Sequence, residues 1–268
     1  MQGRIYPHSL KKLQLFPRYK WEKELDAAVA IGFKNFELLF DKELYCRSIL
    51  DKKLNQEKLN LIGGLNKELS VKSINIDYFC TLRTFDENKF DFLDMLNEII
   101  NSIKGTSVKI LVIPYCDENN LKDIDDLHKA LELFKESKID EMMISYNLSL
   151  SLELGLSAKN IKEVFNNFSF KNIGICYDLG NAAGSGFKPE KEILLLNDLI
   201  NHVHIKDKPL NGSNVMLGNG DVNFTKCIKS LHKINFNGCL ILETIYNKSP
   251  LEEASKNYDF IKNIIYPS

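Results

Sequence analysis

No long block of one charge occurs anywhere in the sequence: 35 basic and 36 acidic residues nearly cancel and are interspersed. That leaves no electrostatic footprint for nucleic acid or an anionic membrane. No stretch approaches the roughly 18 consecutive apolar residues of a membrane span, and the opening MQGRIYPHSLKK lacks the apolar centre of a signal peptide. C-x-x-C spacing is missing too. Cys46, Cys80, Cys116, Cys176, Cys227 and Cys239 are scattered, several within apolar runs such as GICYD and GCLILE, a pattern of reduced, buried thiols rather than a disulfide framework. A cytoplasmic protein is expected. No G-x-G-x-x-G follows an apolar strand to offer a dinucleotide site, and there is no linker, low-complexity segment or close repeat. All 268 residues, 1–268, therefore read as one domain.

What is present is alternation. WEKELDAAVAI places Trp21, Leu25, Ala28 and Val29 on one helical face, and Gly32 then stops the helix. Further helices are expected near 56–69, 88–103, 124–137, 158–166, 189–199, 224–234 and 251–264. Strands are expected at 33–39, 71–79, 108–113, 148–153, 173–178, 202–206 and 239–243, with a short first strand within 3–6. Short apolar strands separated by amphipathic helices build a parallel sheet. Eight of each at this length predict an α/β fold, a single closed (β/α)₈ barrel.

Function in such a barrel sits at the carboxyl ends of its strands. There SLELGLS offers Glu153, ICYDLGN offers Asp178, NHVHIKD offers His204 and LILET offers Glu243. Parallel strands buried on both faces should be nearly continuous apolar runs, so ionisable residues on four successive strands need a common explanation. Taken singly, each has an ordinary reading: Glu153 or Glu243 as a loop carboxylate, His204 as a partly buried structural ring, Asp178 before Gly180 and Asn181 as turn chemistry. Taken together, three carboxylates at one barrel end repel one another unless a cation lies between them. One divalent ion answers that, and a mostly oxygen donor set with one imidazole suits Mn²⁺, Mg²⁺ or Co²⁺, with Zn²⁺ also acceptable. His202 and His204 share a strand face. His204, nearer the carboxyl end, is assigned to the ion and His202 to a deeper structural layer.

In order and context these segments resemble the xylose-isomerase-like barrel superfamily, and within it the sugar-phosphate isomerase/epimerase branch that includes the ribulose-phosphate 3-epimerases. LQLFPRYKWEKELDAAVAIGFKNFELL, SLELGLS, YDLGNAAGSG, NHVHIKDKP, LGNGDVNF and FNGCLILET carry the likeness. The resemblance implies that Glu153, Asp178, His204 and Glu243 are the metal ligands. It implies a sugar or sugar-phosphate substrate and a dimer or tetramer as the common assembly. Asn181 stands where relatives acting on phosphorylated pentuloses have the same residue, and Lys206 and Lys208 then become candidates to meet a phosphate. Glu37 and Asp77, at the ends of the second and third strands, stand where such enzymes touch sugar hydroxyls. The shortness of the chain before the first strand puts Gln2 and Arg4 in doubt as substrate contacts.

The expected activity is isomerisation or epimerisation of a ketose or ketose phosphate, by proton abstraction beside the carbonyl through a metal-stabilised enediolate. Glu153 and Glu243 are the expected base and acid. Two alternatives accompany it: an inosose-type dehydratase on the same site, and a barrel without catalysis acting as a binding subunit. An abasic-site endonuclease fits poorly, because its three-metal site draws on more histidines than the five here.

Overall fold

A computed structural model describes residues 1, 2, 5, 21–40, 69–77, 79, 89–115, 120–245 and 249–267. Among these residues seven strands, all parallel, form one sheet in sequence order: β1 (Asn35–Leu39), β2 (Ser70–Asn75), β3 (Ile110–Tyr115), β4 (Ser149–Leu154), β5 (Ile173–Asp178), β6 (Ile200–Ile205) and β7 (Leu240–Leu242). Helices follow them around the outside: α1 (Trp21–Ile31), α2 (Lys89–Ile103), α3 (Ile124–Glu136), α4 (Ile139–Tyr146), α5 (Ala158–Phe165), α6 (Leu179–Gly184), α7 (Pro189–Leu196), α8 (Phe224–Lys233) and α9 (Pro250–Ile265).

The seam between β7 and β1 is closed by the first two residues. The amide of Gln2 donates to the carbonyl of Leu242 at 3.0 Å, and the amide of Glu37 donates to the carbonyl of Met1 at 2.8 Å. Met1 and Gln2 thus bridge β7 and β1, and the result is a nearly closed α/β barrel; of the expected first strand at 3–6, Gly3, Arg4 and Tyr6 lie outside the described residues. Residues 56–68 of the expected second helix lie outside the described residues. The short helices α4 and α6 have no counterpart in the sequence reading.

Local chemistry explains the elements. In α3, Leu127, Ala130, Leu131 and Phe134 recur at helical spacing and are buried, while the carboxylate of Asp123 accepts from the amides of Asp125 and Asp126 at the first turn. β5 is buried at all six positions, as a strand covered on both faces should be. Successive side chains of a strand point to opposite faces. Phe36, Leu38, Leu150, Leu152, Ile175, Tyr177, Val203, Ile205 and Leu242 join the apolar cluster with the helices. Their neighbours Glu37, Ser151, Glu153, Cys176, Asp178, His202, His204 and Glu243 therefore face the barrel interior, which is polar in an enclosure more often filled with branched apolar side chains. Gly174 is part of that packing, because a Cβ there would lie 2.8 Å from the side chain of Asn201, which accepts a hydrogen bond from the hydroxyl of Ser151 at 2.6 Å. Among the described residues no helix is long and apolar enough to cross a membrane.

Candidate metal centre

Four strand ends bring their side chains to one place. Glu153 sits near the end of β4, Asp178 closes β5, His204 lies one residue before the end of β6, and Glu243 directly follows β7. Each can offer one donor atom such that all four lie within 4.8 Å of one another. Nδ1 of His204 is 3.1 Å from Oε2 of Glu243 and 3.5 Å from Oε2 of Glu153. Exposure is 5% or less for Asp178, His204 and Glu243, so these charges have little water to help them.

The outer atom of each group is held by the protein. Asp178 ends its strand and caps α6 at once, with Oδ1 accepting from the amide of Asn181 at 2.8 Å. The side-chain amide of Asn181 donates to Oε1 of Glu153 at 2.9 Å, and its carbonyl oxygen accepts from Nζ of Lys208 at 2.6 Å. The ammonium of Lys206 lies 2.8 Å from Oδ2 of Asp178 and 2.8 Å from Oε1 of Glu243. Behind His204, Oε1 of Glu37 accepts from Nε2 at 3.0 Å, and Oε2 of Glu37 accepts from Nε2 of His202 at 2.8 Å.

Burial and charge act against each other here. Burial raises the carboxyl of Glu37, but the two imidazoles outweigh it and hold that carboxyl well below the usual carboxylate range. Burial lowers His202, leaving it a neutral ring. Burial also works against the cation at His204, yet Cys176 and Glu37 beside it hold its pKa well above the ordinary histidine value. At Lys206 the same penalty is overcome by Asp178 and Glu243, and the ammonium is retained far into the alkaline range. Burial raises the carboxyl of Glu153 despite His204, which makes its anion a stronger base.

The opening beside Glu153 is a cavity of about 390 Å³ whose wall includes Tyr115, Asn120, Asn181, Lys208 and Asn211. Next to Lys208 in sequence, Asp207 is fully buried, and its carboxylate accepts from the amides of Gly218 and Gly220 at 2.9 Å and of Val222 at 3.2 Å. Asp207 is not among the residues expected at the site. Its signal was the pairing of HIKD with the glycine-rich LGNGD about a dozen residues later.

Two of the expected substrate residues are placed differently. Glu37 has no exposure, and its carboxylate is committed to His202, His204 and Gln2, so it stands behind the site rather than in the cavity. Lys206 points its ammonium at Asp178 and Glu243 rather than outward toward a phosphate. Neither strand-end position nor residue type separates these roles, because both side chains are long enough to reach either way. Lys208 and Asn181 do line the cavity. Asp77 is half-buried in a short turn just after β2 and is not one of the four converging donors.

Three carboxylate oxygens and one imidazole nitrogen at this spacing suit a divalent ion bound at oxygen and nitrogen distances near 2 Å. Cys176, His202 and His204 also bring donors within 4.8 Å of one another, but that trio shares His204, and burial pushes the Cys176 thiol up, away from the thiolate a metal needs.

Such a barrel, with acidic strand ends gathered on one imidazole, defines a class. The chain belongs to the xylose isomerase-like TIM barrel family, whose profile matches residues 25–264. A D-tagatose 3-epimerase-like protein superposes with a TM-score of 0.71 at 18% identity, over 91% of this chain and 94% of its own. The IOLI protein, solved with a bound zinc atom, gives 0.70 at 16% identity over 92% and 94%. In sequence, an uncharacterised protein of Methanocaldococcus jannaschii is 26% identical over 140 residues, spanning 48% of this chain and about half (46%) of that relative's length.

Proposed function

We propose that the protein is a divalent-metal-dependent isomerase or epimerase of a ketose or ketose phosphate. The observation that carries this reading is the convergence of Glu153, Asp178, His204 and Glu243 within 4.8 Å, beside a cavity whose wall includes Glu153, Asn181 and Lys208. These four residues would hold the ion, Mn²⁺, Mg²⁺, Co²⁺ or Zn²⁺, and when bound it supplies a Lewis acid for negative charge developing on a carbonyl oxygen.

The side chains supply the proton chemistry. Glu153, its basicity raised by burial, takes a proton from the carbon beside the carbonyl, and Asn181 holds its other oxygen so that the base does not turn away. Glu243, across the cluster and held by Lys206, would act as the acid on the opposite face: it takes a proton from water, gives it to the carbon and is left as the carboxylate, while the proton held by Glu153 passes to water. In the cavity wall, Lys208 is the cation suited to a phosphate or other anionic tail, and the free thiols of Cys176, Cys227 and Cys239 suit a reducing cytoplasm.

The test is deuterium wash-in from heavy water across pentulose and hexulose phosphates and their free sugars, with metal-loaded protein. Label at one carbon without change of carbon skeleton is expected. Loss of one water from the substrate would instead identify a dehydratase. Glu153→Gln, which keeps an oxygen donor toward the ion and is assayed at saturating metal, should lose exchange by about 10²- to 10⁴-fold, the typical worth of a general base, and near-normal turnover with metal bound would overturn the assignment.

A further inference from the structure

Glu37 lies on β1, across the barrel interior from β6, and has no exposure. Its Oε1 accepts from Nε2 of His204 at 3.0 Å and from the side-chain amide of Gln2 at 3.0 Å, and its Oε2 accepts from Nε2 of His202 at 2.8 Å. An ionised carboxylate has no proton to give, so both rings must present Nε2–H to it. For His204 that choice has a geometric result. With Nε2–H directed back at Glu37, Nδ1 faces the Oε2 atoms of Glu153 and Glu243 at 3.5 and 3.1 Å. A ring turned over about its Cβ–Cγ bond would instead offer a carbon where Nδ1 now stands, and would forfeit the bond to Glu37.

We propose that Glu37 is the positioning residue that fixes His204 with Nδ1 toward the ion, and that His202 and Gln2 hold Glu37 in place. The inference rests on the metal reading of the four strand-end residues. The ring of His202 packs edge-on to that of His204, with centroids 5.3 Å apart and planes at 78°, so the second imidazole limits the first sterically and also anchors its partner carboxylate. Glu37, expected from the sequence to touch a sugar hydroxyl, thereby acts through another residue. Partners of this kind behind a ligating histidine are worth about 10- to 100-fold in metal affinity.

Calorimetric titration of Zn²⁺ into the metal-stripped full chain is the first measurement. Glu37→Gln should bind Zn²⁺ about 10- to 100-fold more weakly than the natural chain, with circular dichroism reporting an intact fold. Affinity within twofold of the natural chain would overturn the positioning role and leave the metal reading standing. Failure of the natural chain itself to bind Zn²⁺ would overturn both. If Glu37→Gln does not fold, the Zn²⁺-loaded natural protein still decides through long-range ¹H–¹⁵N correlations of its histidines. A proton on Nε2 of His204 supports the inference, and a proton on Nδ1 rejects it.

Discussion

Asn181 uses both ends of its amide on the protein: the nitrogen on Glu153, the oxygen on Lys208. A lysine can only donate, so Lys208 fixes which end of the amide faces the base. Asn181→Ala should lower kcat/KM by about 10- to 100-fold, as loss of a hydrogen bond to a charged group costs about 1.5–3 kcal/mol, measured by coupled or isotope-exchange assay with metal content unchanged. Lys206 gives a second expectation. Removing it leaves Asp178 and Glu243 buried against each other, so Lys206→Met should cost about 3–5 kcal/mol in chelator, and an added divalent ion should restore much of the loss in thermal midpoint. The sign follows from its raised pKa: the stabilisation is complete below the unfolded lysine value of about 10.4 and is lost only as pH rises through the higher folded value. The difference between the two proteins should therefore hold constant from about pH 6 to 9. At this scale the sequence made the four strand-end residues legible, since an ionisable group closing an apolar strand is conspicuous. It did not distinguish groups that face the cavity from those that brace the site, because Glu37 and Lys206 look like Glu153 and Lys208 until the fold sets their direction.

Among elements, the turn from β5 into α6 binds the site most tightly to the scaffold. A Cβ on Gly180 would lie 2.8 Å from the main-chain carbon and Cγ of Lys206. Gly180→Ala should accordingly destabilise by about 1–3 kcal/mol through overpacking, visible as a lower denaturant midpoint, and should weaken ion binding by displacing Lys206. Long periodic helices were readable almost to the residue. α1 was expected at 21–31 and is found there, and α2 begins one residue later than expected. The six-residue α6 was not, since Leu-Gly-Asn-Ala-Ala-Gly has too few turns to show a period and its nucleus comes from the Asp178 cap. The bridge made by Met1 and Gln2 is not legible for a different reason: the two residues hold their place through the carbonyls and amides of β7 and β1, contacts distant in sequence.

As a whole the barrel carries a buried cluster of three carboxylates, only partly balanced by Lys206, to which an ion would add positive charge. Anything that binds the folded state alone stabilises it by mass action, about 2.7 kcal/mol at a hundredfold excess over Kd. Mn²⁺ or Zn²⁺ should then raise the thermal midpoint by about 5–10 °C and EDTA should reverse the gain. A midpoint indifferent to every divalent ion would speak for a barrel that binds without metal chemistry. The β/α alternation is legible in periodicity and length, properties spread over the chain, whereas the expected eight strands are seven among the described residues. The polar barrel interior is legible only at His202, placed below His204 on the same strand face; Ser73, Asn75 and Ser151, also buried, carry no mark in the sequence that separates them from surface polar residues.

The seam closed by Met1 and Gln2 makes the barrel a ring with one short link. Rings of hydrogen-bonded strands open first where the fewest bonds must break together. The amides of Gln2 and Glu37, which carry that link, should exchange with solvent deuterium sooner than those of Leu152 or Cys176 in the middle of the sheet. Because the same Glu37 also reaches His204, ion binding should slow exchange at the link, so that protection at one edge of the ring reports occupancy at its mouth.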